Sequence, residues 1–151
     1  MSRAQKRLVD GLNEDLQAEF QAIIMYRLYA SMVTGPYRQE LRTFFAAEIP
    51  EELNHAQLLA DKIAALGGTP AATASPVAVV SDAKAMLEAA LAAEIATIGR
   101  YVKRRVQAEE AREFGLATDL DTIIADETKH RDGLKHRPEP HSVCARATSI
   151  F

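Results

Sequence analysis

Charged side chains at helix-spaced, core-facing positions are the part of this 151-residue sequence that can do chemistry. Glu19 stands on one stripe with Leu8, Leu12, Leu16, Ile23 and Tyr26, and Glu94 on another with Leu87, Leu91, Ile98 and Tyr101. Glu52 and His55 interrupt a stripe of Leu41, Phe45 and Leu59; Glu127 and His130 interrupt one of Leu120, Ile124 and Leu134. Glu and His at i and i+3 share a helical face, so one cation can take both from a single helix. Charged groups rarely enter a core unpaired, so four carboxylates and two imidazoles there require a counter-ion. Oxygen and imidazole donors suit iron or manganese rather than copper(I). Two divalent cations balance four carboxylates; without them the carboxyls hold protons, with raised pKa values.

The set is duplicated. Glu19, Glu52 and His55 recur 75 residues later as Glu94, Glu127 and His130. The same shift carries Leu12 onto Leu87, Leu16 onto Leu91, Ile23 onto Ile98, Tyr26 onto Tyr101 and Leu59 onto Leu134. Such a repeat implies a pseudo-two-fold axis, each half supplying one Glu and one Glu-x-x-His. Glu51 and Asp126 are also related by the shift. A metal-bound imidazole donates its other N–H to a carboxylate, a backbone carbonyl or water, which makes Asp126 a candidate partner of His55 and Glu51 of His130; the alternative is that both are ordinary surface acids beside the motif. Glu48, one turn before Glu52, either feeds this site or faces solvent. His136 and His141 have no partners at ligand spacing and read as surface residues.

Four segments must position these groups: near 3–33, 37–66, 82–113 and 117–135, separated by Gly35-Pro36, Gly67 to Ser81, and Gly115. Their apolar spacing and Ala-, Glu-, Lys- and Arg-rich interiors predict four helices. Ser2 with Gln5, Asp82, and Thr118 with Asp121 mark helix starts. Pro50 lies inside the second segment and is expected to kink it. Short turns make helices one and two, and three and four, antiparallel neighbours. The middle connection is long enough to run the length of a helix of about 40 Å, which makes helices two and three parallel. The expected fold is an all-α four-helix bundle of two antiparallel hairpins joined by one long crossover, over residues 1–136, with a non-helical tail at 137–151.

Composition excludes other classes. Apolar residues make up 48% and charged residues 26%, ordinary globular values that rule out a wholly disordered chain. A net charge of −3 gives no expectation of nucleic-acid binding. The single cysteine, Cys144, excludes a disulfide framework or a four-cysteine metal site. No apolar signal core and no stretch long enough to span a bilayer are present, so a cytoplasmic location is expected.

Glu19, the segment Ala47 to Ala56 (AEIPEELNHA), Glu94 and the segment Ala125 to His130 (ADETKH) resemble the di-iron motif of the ferritin-like superfamily, with spacing most similar to bacterioferritin. The resemblance spans residues 4–135 and matches all six ligand positions. It implies two iron ions per chain, with manganese as the alternative metal. Glu52 and Glu127 would bridge them, Glu19 and His55 completing one position, Glu94 and His130 the other. It further implies oxidation of Fe(II) by dioxygen or peroxide, with or without iron storage. Tyr26 resembles the family's near-site tyrosine and Tyr101 its symmetry mate, either redox-active or simply packed with a hydrogen-bonded hydroxyl. A rubrerythrin-like peroxidase or a manganese catalase is the alternative; Thr97 stands where rubrerythrins add a Glu. Haem is disfavoured, because haem-holding relatives carry Met where this chain has Leu53. The resemblance also implies a homodimer as the basic unit, paired through helices one and two, where Leu28, Val33 and Phe44 supply an apolar patch. A 24-subunit shell is disfavoured by the helix-breaking Gly133, Pro138 and Pro140.

Overall fold

A computed structural model of the chain describes residues 1–137. Four helices follow in order, α1 Arg3–Met32, α2 Arg38–Ala65, α3 Ala83–Glu110 and α4 Phe114–Lys135, with no strand among the described residues. This is the all-α bundle the periodicity predicts. The tail, with Pro138, Pro140, His141 and Cys144, lies outside the described residues apart from Arg137.

Local chemistry sets the boundaries. Ser2 and Gln5 form a reciprocal capping box, with Ser2 N–H donating to Gln5 Oε1 at 2.9 Å and Gln5 N–H to Ser2 Oγ at 3.1 Å. Asp82 caps α3 through the Ala85 N–H at 2.9 Å. α2 ends in a Schellman turn at Gly67, whose φ of +81° suits glycine, with Gly68 N–H donating to Ile63 O. α3 ends in the same way at Arg112, with φ +62° and Glu113 N–H donating to Ala108 O. The break therefore falls three residues before Gly115, the glycine expected to make it. α4 starts at Phe114 and takes in both Gly115 and Thr118, whose hydroxyl donates back to Phe114 O instead of capping. At the other end α4 runs through Gly133 to Lys135. α2 is one helix through Pro50.

Contacts between elements fix the topology. Tyr26 of α1 meets Phe45 of α2 and Glu94 of α3, while Arg104 of α3 meets Asp15 of α1, so both neighbours run antiparallel to α1. The crossover climbs along α1. Asn13 binds Thr69 O and the Ala71 N–H, Gln17 binds Thr73 Oγ1, Gln21 binds Pro76 O, and the Tyr29 hydroxyl reaches Ala78 O. These amides at i, i+4 and i+8 satisfy crossover groups that have no ladder of their own.

Two apolar clusters fill the bundle. One gathers Leu8, Leu12, Leu16, Leu59, Ile63 and Leu120; the other gathers Tyr26, Tyr29, Phe45, Ile49 and Met86. Between them lies a polar layer at mid-height. α3 presents Met86, Ala90, Glu94, Tyr101, Arg104 and Ala108 inward, so Leu87, Leu91 and Ile98 flank the buried line half-exposed instead of forming it. Arg104 is itself buried, with Nε 2.6 Å from Asp15 Oδ2 and a second bond to Gln107. Gly11 makes room for it: a Cβ there would stand 1.5 Å from Arg104 Nη1.

The expected apolar patch on α1 and α2 is corrected. Val33 is fully buried in the chain's own core, because it closes the α1–α2 hairpin there, and Phe44 is half-buried under Arg137. The exposed large apolar residues of these two helices are Ile24, Met32 and Leu53. No helix among the described residues is long and apolar enough to cross a membrane.

Candidate metal centre

Each helix places one carboxylate in the polar layer between the two apolar clusters. Glu19, Glu52, Glu94 and Glu127 are all at most 3% exposed, and the side chains of His55 and His130 are 7% and 9% exposed. Glu19, Glu52, His55 and Glu127 offer donor atoms within 4.8 Å of one another; so do Glu52, Glu94, Glu127 and His130. Glu52 and Glu127 belong to both groups. All six residues of the duplicated motif thus meet in one place, with the two carboxylates from the Glu-x-x-His segments shared.

The imidazoles face this space through Nδ1. His55 Nδ1 stands 3.1 Å from Glu127 Oε1 and 3.5 Å from Glu52 Oε2. His130 Nδ1 stands 3.5 Å from Glu127 Oε2, 3.8 Å from Glu52 Oε1 and 3.9 Å from Glu94 Oε2. Their Nε2 atoms point away to other carboxylates. His130 Nε2 is 2.5 Å from Glu51 Oε2 and 3.0 Å from Glu48 Oε2, and His55 Nε2 is 3.9 Å from Asp126 Oδ2. Glu51 thus bonds to His130 across the bundle as expected, whereas Asp126 stands on the outer side of His55 without a hydrogen bond to it. Glu48 stands beside His130 with its side chain 12% exposed, so it does not face solvent. Its counterpart in the repeat is Ile123, which leaves the His130 side with one carboxylate more.

Two tyrosines tie the remaining carboxylates. The Tyr26 hydroxyl donates to Glu94 Oε1 and the Tyr101 hydroxyl to Glu19 Oε1, each crossing between α1 and α3. Each hydroxyl therefore serves the carboxylate of the other half of the repeat. Burial, with Glu94 beside Tyr26 and Glu19 beside Tyr101, raises both phenols well above their ordinary range, so both stay protonated donors.

The electrostatics are those of a site whose donors suit cations. Burial and the neighbouring Glu127 push the Glu94 carboxyl up to about 9, and burial with Glu19, Glu127 and Glu94 holds Glu52 well above the carboxylate range. Burial alone would lower His130, but Glu127, Glu48, Glu51 and Glu94 outweigh it and push the imidazole up to about 10. Glu127 goes the other way: burial raises it, yet the two imidazoles, with Glu94, hold it below the ordinary range. Glu19 Oε2, both Glu127 oxygens and Nδ1 of each histidine are buried with no hydrogen-bond partner. An unmet buried polar atom costs about 1–3 kcal/mol, and these atoms border one space. Cations held among these donors would satisfy them together. The donor set fits metal.

Sequence reasoning missed the Asp15–Arg104 pair one turn below Glu19. The signal was present as a break in the repeat, since Asp15 aligns with Ala90 and Arg104 with Tyr29. If Glu51 orients His130, Glu51→Gln is expected to weaken cation binding about 10–100-fold at the His130 position and leave the other unchanged. Competition titration with Co(II) measures both.

Comparison with known proteins agrees with the geometry. A family model described as a ferritin-like domain matches residues 9–137. A bacterioferritin of Mycolicibacterium paratuberculosis is 31% identical over 129 residues, covering 85% of this chain and 81% of the relative. A crystal structure from Bacillus anthracis, described as ferritin-like, diiron-carboxylate proteins, is 47% identical with a TM-score of 0.88, covering 89% of this chain and 97% of that one. A Dps protein from Bacillus brevis superposes with a TM-score of 0.84 at 24% identity, covering 89% and 97%, and shares the fold.

Proposed function

The chain belongs to the ferritin-like family, and we propose that it binds two iron ions per chain and oxidises Fe(II) with dioxygen or peroxide, with iron storage as a further use of that activity. The observation that carries this reading is the convergence of the duplicated Glu plus Glu-x-x-His set on one buried space with unsatisfied donor atoms. In this proposal Glu19 and His55 would hold one iron and Glu94 and His130 the other, with Glu52 and Glu127, which belong to both donor groups, available to each. Bound iron supplies the one-electron chemistry that carboxylates and imidazoles lack. The chain's own groups do the rest. Tyr101 and Tyr26 each engage one oxygen of Glu19 and Glu94, leaving the second oxygen toward the centre. Asp126 and Glu51 keep the outer nitrogens of the imidazoles facing carboxylates, so that Nδ1 faces the metal. The protons that Glu52, Glu94 and His130 carry leave when cations enter. Residues 1–136 form the functional unit of this proposal, and haem takes no part, since Leu53 carries no ligating atom. Pairing into homodimers and a cytoplasmic location belong to the same proposal.

Fe(II) added anaerobically and then exposed to dioxygen tests the activity, with Fe(III) absorbance followed in time. The expected result is a fast phase that saturates near two iron ions per chain. Oxidation no faster than in protein-free buffer contradicts it. Replacing dioxygen by peroxide in the same experiment identifies the oxidant, and a fast phase restricted to peroxide favours the rubrerythrin-like alternative.

A further inference from the structure

A cleft of about 360 Å³ lies outside the polar layer, between α1, α3 and the crossover. Ala18, Ala22 and Met25 of α1 and Ala93, Thr97 and Arg100 of α3 wall it, with Val77 on the crossover side. The walls are related by the 75-residue repeat, Ala18 with Ala93, Ala22 with Thr97 and Met25 with Arg100. The cleft therefore straddles the pseudo-two-fold axis. Because α1 and α3 are antiparallel, Met25 and Arg100 fall toward opposite ends, about 10 Å apart by helical rise. One end is apolar and the other cationic, with alanine walls between that leave width for a chain.

Arg100 shares its one near anion with a second arginine. Its Nη2 donates to Thr97 Oγ1 at 2.7 Å, while its Nε is buried with no hydrogen-bond partner. The nearest carboxylate oxygen is Asp15 Oδ1, 3.7 Å from Nε, and Asp15 is committed to Arg104 through bonds of 2.6 and 3.3 Å. Two guanidinium groups thus converge on one buried carboxylate. The Arg100 side chain is 32% exposed at the cleft while its Nε faces Asp15, so an incoming carboxylate meets the accessible part of a guanidinium whose charge Asp15 only half balances.

We propose that this cleft binds a single-chain alkyl carboxylate, its head on Arg100 and its chain running over the alanine walls toward Met25 and Val77. The volume is within the range of small-molecule sites, and the amides of Asn13, Gln17 and Gln21 pin the crossover beside it. The site makes no use of the metal-facing residues, so it stands or falls apart from the iron reading.

The test uses the full chain, metal-free, with a dansylated undecanoic acid as fluorescent probe and decanoate as competitor. Wild type is expected to bind the probe and release it to decanoate, while decanol and decylamine compete at least about tenfold more weakly. Arg100→Gln is expected to weaken decanoate binding about tenfold or more, and Arg100→Lys to restore part of it. Ala22→Leu narrows the cleft without touching Arg100 and is expected to abolish probe binding while the helical circular dichroism is retained. Failure of wild type to bind the probe overturns the proposal. Equal competition by decanol and decanoate, or unchanged affinity in a folded Arg100→Gln protein, overturns it as well.

Discussion

Glu52→Leu is expected to abolish cation binding at both positions while leaving the metal-free protein at least as stable as wild type. Glu52 belongs to both donor groups, so its loss disables each, whereas Glu19→Ala or Glu94→Ala removes one. Without metal its carboxyl is held protonated by burial and by Glu19, Glu127 and Glu94, so the folded state gains nothing from its charge. A leucine of similar volume removes that strain, and exchanges of this kind are often neutral or stabilising by about 1–4 kcal/mol. Co(II) affinity is expected to fall by more than about 100-fold, beyond the effect of removing an orienting partner. Fe(II) oxidation is expected to drop to the protein-free rate. Calorimetry of the metal-free variant and stopped-flow oxidation measure the two halves. A variant that unfolds, or one that oxidises iron like wild type, contradicts the role assigned to Glu52.

The metal-free protein is expected to lose stability as pH rises from about 5 to about 10. Glu94 titrates near 9 in the fold, against an ordinary 4.5, and His130 near 10 against an ordinary 6.5. Both folded values lie above the unfolded ones, so the folded state binds more protons between each pair of values. Their contribution is complete below the ordinary value and is lost as pH climbs through the raised one. Glu127, held low by the imidazoles, acts in the opposite sense and only on the acid side of the ordinary carboxylate range. The Tm of metal-free protein is therefore expected to fall by about 10 °C between about pH 6 and pH 9. Cations reverse the slope, because their ligands must be deprotonated, so affinity rises over the same interval and binding releases protons. Scanning calorimetry with and without Zn(II) reads both. A flat or rising Tm in the metal-free protein contradicts the assigned electrostatics.

The sequence made the helices and the buried Glu and His cluster legible for one reason: the chain repeats itself. Periodicity alone leaves each Glu on an apolar stripe ambiguous, but Glu19, Glu52 and His55 recurring in register as Glu94, Glu127 and His130 make the set one object. The same repeat relates Glu51 to Asp126, although only Glu51 bonds to its histidine. What stayed hidden lies where the two halves differ. Asp15 with Arg104 replaces the Ala90–Tyr29 step of the other half, and Glu48 stands opposite Ile123; neither shows up as a stripe or a motif. The α3 stripe was displaced because its buried line contains small and charged residues, Ala90, Arg104 and Ala108, while its leucines sit at the edges. The start of α4 was misplaced because Arg112 adopts the left-handed conformation that glycine usually supplies. The dimer patch failed at Val33, since spacing cannot tell a residue that closes a hairpin inward from one on the outer face.

Anomalous scattering at the iron edge, from crystals loaded with Fe(II), tests the central claim most directly. Two peaks per chain are predicted inside the bundle between Glu52 and Glu127, one beside Glu19 and His55, the other beside Glu94 and His130. Iron found only at the surface, or no peak within the bundle, would contradict the account.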